Sequence, residues 1–193
     1  MPPDVALVLL AAGRASRFGS HKLTSPLKGK PLWHWARDSA DRAGFGCKLI
    51  VTGPDDASFA IPEDWQHVVN PIPARGLSFS IASALAILTE NATCHRIVIV
   101  LADMPFVSPA HLQALAEAEN VAFSRYPDGH RGVPASFPAE SFGKLADLSG
   151  DRGASARDFA DAVAIEPADQ SELADIDTPR DLAAALARLD GLS

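Results

Sequence analysis

Residues 5–22 read V-A-L-V-L-L-A-A-G-R-A-S-R-F-G-S-H-K. Val5 to Leu10 is a short apolar run that breaks at Ala11-Ala12-Gly13. Such a run, β-branched in part and bounded by glycine, reads as a buried strand. Small residues just past a strand let the backbone come close to a ligand. Open α/β sheets bind ligands beyond the carboxyl ends of their strands. Arg14, Arg17 and Lys22 lie on this same glycine-bearing segment. Three cations there point to a polyanion, most simply a triphosphate.

The spacing excludes two common phosphate loops. A dinucleotide fingerprint needs G-x-G-x-x-G, but Ala11 and Ala12 precede Gly13 and no second glycine follows two residues on. A P-loop needs G-x-x-x-x-G-K-[ST]. Gly13 and Gly19 are one residue too far apart, and Ser20 follows Gly19. What remains, from Leu10 to Lys22, is L-A-A-G-x-x-x-R-F-G-x-x-K. This pattern resembles the signature loop of the MobA-like nucleotidyltransferases that make molybdenum cofactor dinucleotides. There the second small residue is alanine in members resembling the cytidylyltransferase and glycine in those resembling the guanylyltransferase. This chain has Ala12.

The 193 residues suffice for one domain with a substantial core, and we expect a single domain over 1–193. Hydrophobic residues make up 47% and charged residues 21%, an ordinary balance for a globular protein. The net charge of −7 argues against nucleic acid or an anionic membrane as the main partner. No apolar run approaches the ~20 residues of a membrane span, and the opening M-P-P-D lacks the charged lead of a secretory signal. Cys47 and Cys94 belong to no paired-ligand motif. A cytoplasmic setting is expected.

Periodicity then places the elements. After Val5–Leu10, Pro31 is expected in the first turn of a helix that reaches Ala43 and stops at Gly44. Strands follow at Lys48–Thr52 and His67–Asn70, and a helix at Leu77–Leu88 carries apolar residues at three- and four-residue steps. Arg96–Leu101 contains I-V-I-V-L, apolar on both faces as in the centre of a parallel sheet. Ser108-Pro109 should cap a helix running to about Glu119. Val121–Ser124 and Val133–Phe137 should form a hairpin around Asp128-Gly129. Short helices are expected at Phe142–Leu148 and Ala154–Phe159, a strand at Val163–Glu166, and a final helix from Thr178-Pro179 to about Leu189. Strands alternating with helices imply a Rossmann-like three-layer αβα sandwich with a mostly parallel sheet. The resemblance implies the same fold, that of the nucleotide-diphospho-sugar transferases.

Asp103 falls just past the Arg96–Leu101 strand, and if that strand and Val5–Leu10 are parallel it lies on the same side of the sheet as the first loop. Magnesium takes hard oxygen ligands, often one or two carboxylates plus phosphate oxygens. L-A-D-M-P, residues 101–105, matches the family's metal-binding aspartate. D-I-D-T-P, residues 175–179, matches a second family element and nominates Asp177 before Asp175 as a further ligand. Thr178 or Asp177 would also serve simply as a helix cap. N-P-x-x-x-x-G-L-S-x-S, residues 70–80, resembles the family's stretch around the nucleotide or acceptor, with Asn70 placed to read a base edge. Asn70 reads equally well as a turn residue before proline, and Ser78 and Ser80 as ordinary helix-start residues. Arg131-Gly132-Val133-Pro134, with Gly150–Ala154, resembles the region covering the acceptor. Family members often carry R-G-H-P there, and Val133 departs from it. His21 departs too, standing where an acidic or small polar residue is usual.

The resemblance therefore implies Arg17, Lys22 and Asp103 as catalytic residues. It implies nucleotide contacts from Leu10, Ala11, Ala12, Gly13, Arg17, Lys22, Asn70, Ser78 and Asp103, and Mg2+ held by Asp103 and Asp177. The expected reaction is transfer of CMP from CTP to molybdenum-bearing molybdopterin, with a molybdoenzyme or its chaperone as onward partner. Alternatives are a GTP-using relative, one acting on a sugar- or alcohol-phosphate, or a non-catalytic chaperone that binds the cofactor and releases no pyrophosphate. Zinc chemistry is disfavoured because the six histidines show no H-x-x-x-H spacing. Gly76–Ser80 fails the hydrolase pattern G-x-S-x-G at its last position.

Overall fold

In a computed structural model of the protein, residues 4–12, 18, 22–54, 59–90, 94–148, 159 and 161–191 are described. The chain passes in order through β1 (Val5–Leu10), the two-residue strands β2 (Pro26–Leu27) and β3 (Lys30–Pro31), and α1 (Trp33–Ala43). It continues through β4 (Cys47–Thr52), β5 (Gln66–Val69), α2 (Leu77–Glu90), β6 (Arg96–Leu101) and α3 (Pro109–Ala116). It ends with β7 (Ala122–Arg125), β8 (Arg131–Pro138), α4 (Phe142–Ala146), β9 (Val163–Ile165) and α5 (Pro179–Gly191).

Every residue of β1 is buried, because both faces of the sheet are covered. Successive side chains alternate between the faces. Ala6, Val8, Leu10 and Ala12 pack with Ile81, Leu85 and Leu88 of α2 and with Phe142 and Leu145 of α4. Val5, Leu7, Leu9 and Ala11 pack with Trp33, Ala36 and Ala40 of α1 and with Leu112 and Leu115 of α3. The result is the three-layer αβα sandwich that the alternation of strands and helices implied.

The seven-stranded sheet has the order β5-β4-β1-β6-β8-β7-β9. β5, β4, β1 and β6 run parallel; β8 is antiparallel to both β6 and β7, and β9 is parallel to β7. The hairpin expected around Asp128-Gly129 is present, with Gly129 at φ 85. The expected helix over 154–158 lies outside the described residues.

Two local expectations are corrected. Pro31 is not in a helical first turn. It pairs with Pro26 across a small antiparallel hairpin, Leu27 pairs with Lys30, and α1 starts at Trp33. Lys28 and Gly29, at φ 50 and 83, form the two-residue loop, since a turn that matches strand twist needs positive φ at both central positions. The helix expected to reach Glu119 stops at Ala116. The buried Arg96 guanidinium takes the carbonyls of Glu119 (2.7 Å) and Asn120 (3.2 Å), fixing the connection into β7. Of Trp33 and Trp35, two apart on α1, the first is core and the second sits at the boundary with its indole N–H on Leu27 O.

α5 packs outside the two main layers. Ile176 and Ala185 share a third small core with Leu27 and Leu32 of the hairpin. Lys28 Nζ fastens the far end by donating to Leu189 O at 3.0 Å.

His111, on α3, is buried with Nε2 2.7 Å from Ser124 Oγ. The Ser124 hydroxyl donates to Pro134 O at 2.7 Å, so the imidazole donates from Nε2. Burial depresses the pKa of this imidazole, against a smaller upward pull from Glu172. An unfolded chain therefore takes up this proton first as pH falls through about 6.5. It binds more protons than the folded chain there, so stability rises with pH in that window. Denaturant unfolding from pH 7.5 to 5 should show stability falling below about pH 6.5, and His111→Gln should flatten that slope. An unchanged slope in the variant would assign the acid sensitivity elsewhere.

Candidate active site

The carboxyl ends of β1 and β6 place the first loop and Asp103 side by side. Leu10 and Leu101 are register partners in a parallel pair. Ala102 N donates to Leu10 O at 3.0 Å, and Ala11 N donates to Val51 O at 2.8 Å. Ala11 and Ala12 are buried at this rim, and the Leu10 side chain points into the core on the α2 face. Gly13 and Arg17, both expected at the nucleotide, lie outside the described residues.

Lys22, opening a 3₁₀ turn over Lys22–Thr24, reaches back across the rim. Its Nζ donates to Asp103 Oδ2 at 2.6 Å and to Asp177 Oδ1 at 3.1 Å. The Lys22 and Asp103 side chains are only 11% and 17% exposed, whereas Asp177 is 47% exposed. Burial pulls the ammonium toward its neutral form. The Asp103 charge and the hydrogen bonds to both aspartates outweigh that pull, so the amine holds its proton more firmly than a free lysine. The second Asp103 oxygen, Oδ1, is buried and has no hydrogen-bond partner among the described residues.

Asp177 is brought here by Ile176. The Ile176 side chain is buried in the third core, and its backbone N–H donates to Asp103 O at 3.0 Å. Alternation along an extended segment then leaves Asp175 and Asp177 flanking the anchor. Asp181 secures the turn that follows. Its Oδ2 accepts from Thr178 N (2.7 Å), Thr178 Oγ1 (2.8 Å) and Asp177 N (3.1 Å). The Thr178 hydroxyl first, and then these backbone donors, hold its carboxyl below the usual range.

Asp175 is open to solvent on one side. Burial on the other, followed by the charges of Asp177 and Asp103, lifts its pKa above the ordinary carboxylate value. Tyr126, at the base of the β7–β8 hairpin, feels the same charges. Burial, then Asp175 and Asp103, push its phenol up to about 12. Its hydroxyl donates to Val133 O at 2.7 Å, and its ring stacks on His130 with centroids 4.1 Å apart.

The donor chemistry suits a hard divalent cation. No cluster of three His, Cys, Asp or Glu side chains is gathered for a metal among the described residues. Magnesium in phosphate-handling sites is commonly held by one or two carboxylates, with the substrate supplying the rest. Asp103 and Asp177 already converge on one cation, the Lys22 ammonium, and Asp103 Oδ1 is a buried acceptor in want of one.

The family model for the MobA-like NTP transferase domain matches residues 7–171. The chain belongs to the MobA-like NTP transferase family. Its activity class is therefore nucleotidyl transfer. Across 196 aligned residues this MobA-like chain is 32% identical to the purine catabolism protein PucB of Bacillus subtilis, spanning 93% of this chain and 94% of that protein. A Mycobacterium sp. strain JC1 homologue of Rv0371c superposes with a TM-score of 0.82 at 26% identity, over the whole of both chains. Rv0371c of Mycobacterium tuberculosis, solved in complex with manganese, superposes with a TM-score of 0.76 at 25% identity, over 97% of this chain and 100% of that one.

Two of the residues expected at the nucleotide of this MobA-like protein have structural employment. Asn70 is fully buried; its Nδ2 donates to Ser80 Oγ at 2.8 Å and its Oδ1 accepts from Ile72 N at 2.9 Å. It joins the end of β5 to the first turn of α2. Ser78 is buried in that same turn. Sequence reading passed over Asp181 and Tyr126. The T-x-x-D spacing of Thr178 and Asp181 was the available signal for the first. Tyr126, two residues before Asp128-Gly129, carried none.

Ile176→Ala should lower the unfolding free energy by about 2–5 kcal/mol, as for other buried large-to-Ala changes. Chemical denaturation measures this. A loss under about 1 kcal/mol would mean that the Asp175–Asp177 segment is not anchored through this side chain.

Proposed function

We propose that this MobA-like protein transfers CMP from CTP to the phosphate of a molybdopterin-type acceptor, releasing pyrophosphate. The observation that carries the reading is the meeting of Lys22 with Asp103 and Asp177 at the rim where the first loop leaves β1. In the reaction a phosphate oxygen of the acceptor attacks the α-phosphorus, and the bond to the β-phosphate bridging oxygen breaks. Such a displacement needs positioning and charge neutralisation rather than covalent help from the protein.

Asp103 and Asp177 would hold Mg2+, which when bound neutralises phosphate oxygens and aligns them. A relative solved with manganese supports a divalent ion in this fold. Lys22 and Arg17 bind the β- and γ-phosphates and stabilise the leaving pyrophosphate. Backbone amides from Ala11 to Gly13 approach the nucleotide, and Ala12 favours CTP over GTP. Leu10 contributes by setting where this backbone leaves the sheet. Asn70 and Ser78 shape the neighbouring β5–α2 loop. The acceptor lies toward the β7–β8 hairpin, against Tyr126. The sequence pattern supports these roles, and for Lys22, Asp103 and Asp177 the meeting of the three side chains supports them as well.

Thermal shift with CTP, GTP, ATP and UTP, each with and without Mg2+, tests the nucleotide. Ligand that binds only the folded state raises its midpoint. A metal-dependent rise largest with CTP is expected, and a larger rise with GTP would reassign the base. Asp103→Asn should abolish metal-dependent pyrophosphate release. Lys22→Ala should lose on the order of 2–4 kcal/mol of transition-state stabilisation, as for one preorganised donor. Binding of the pterin cofactor by wild type with no pyrophosphate release under any nucleotide would turn the assignment to a delivery chaperone.

A further inference from the structure

We infer that Lys22 is a built-in counter-cation that keeps bare metal off Asp103 and Asp177 and surrenders its place only when a nucleotide's phosphates arrive to receive it. The inference rests on the reading above that these two aspartates are the metal ligands.

The Lys22 ammonium lies within hydrogen-bond distance of both carboxylates, 2.6 Å from Asp103 and 3.1 Å from Asp177. It therefore occupies the position from which a single cation would touch both. A divalent ion and an ammonium cannot share that position, because like charges a few ångströms apart repel strongly where water is scarce. Lys22 and Asp103 are both largely withdrawn from water. Metal entering alone must displace the ammonium and leave it beside the ion with no new partner. Metal entering with a nucleoside triphosphate meets no such obstacle. The phosphate chain supplies anionic oxygens for the displaced Nζ and further oxygen ligands for the ion.

Two features favour a movable lysine over a fixed structural ion pair. Asp103 Oδ1 is left buried and without a partner among the described residues, so the ammonium satisfies only one of that aspartate's two oxygens. Asp177 is nearly half exposed and joins the ammonium at the longer distance, so one side of the clamp faces solvent. The two ligands are thereby coupled. Whatever factor nucleotide adds to metal affinity, metal adds to nucleotide affinity.

The test is Mn2+ binding by electron paramagnetic resonance, with and without a non-hydrolysable CTP analogue, in wild type and Lys22→Met. Methionine keeps the length of the side chain and removes the charge. In wild type Mn2+ alone should bind weakly and the analogue should strengthen it. In K22M, Mn2+ alone should bind at least ~10-fold more tightly than in wild type, within the usual range of coupling factors, and the analogue should add correspondingly less. The aspartates lose their neutralising partner in K22M, so Lys22→Gln, which retains a hydrogen-bond donor, is run in parallel with circular dichroism as the check of folding. Mn2+ that binds alone equally or more weakly in the folded variants overturns the counter-cation role and leaves the metal assignment standing. Mn2+ that binds neither wild type nor variant, even with the analogue, overturns the metal assignment itself.

Discussion

Two carboxylates that converge on one point, partly withdrawn from water, require a cation between them. Desolvation and mutual repulsion otherwise drive one of them to bind a proton. Here the cation is the ammonium of Lys22, and Asp175 adds a third negative charge close by. The charge balance of this rim is therefore set before any substrate arrives. The net charge of −7 on the whole chain does not argue against phosphate binding at this rim, since three of its seventeen cations, Arg14, Arg17 and Lys22, fall on one short segment.

Every supporting element serves to keep these groups within reach of one another. The parallel β1–β6 register makes Leu10 and Leu101 end together, so the loop and Asp103 leave the sheet at one level. The Ile176 amide ties the aspartate segment to the backbone of Asp103 itself, and Asp181 stiffens the turn beyond. Glu172, buried, accepts from Ser108 N at 3.1 Å and so holds the far side of the loop after Asp103. Positions are thus fixed mainly by backbone hydrogen bonds and apolar anchors. Such restraints vary less than long side chains would.

How much of this could be read from the residues follows from how local each signal is. The strands β1, β4 and β6 announce themselves as unbroken apolar runs, and Gly44 and Ser108-Pro109 mark helix ends by chemistry that acts within a few residues. The position of Asp103 at the rim is legible because its place in sequence, just past a central strand, fixes its place in space. The Lys28-Gly29 hairpin was missed because its strands are two residues each, too short for any periodicity, and because Pro31 mimics a helix start. Asn70 shows how a residue with two readings in sequence gains its contacts from afar. A strand-end asparagine looks free to read a ligand, but only the tertiary approach of Ser80 reveals where its amide goes. The stacking of Tyr126 on His130 is local to the β7–β8 turn, whereas the influence of Asp175 and Asp103 on Tyr126 depends on how that hairpin is placed in the sheet, which no short window of sequence encodes.

The clamp joins residues 81 and 155 positions apart. Synthesis runs from the amino terminus, so Lys22 and Asp103 leave the ribosome well before Asp177 exists. The three-point contact cannot form before then. Docking of Ile176 onto the hairpin, followed by α5, then allows it. The late segment is therefore the piece that completes the three-point clamp.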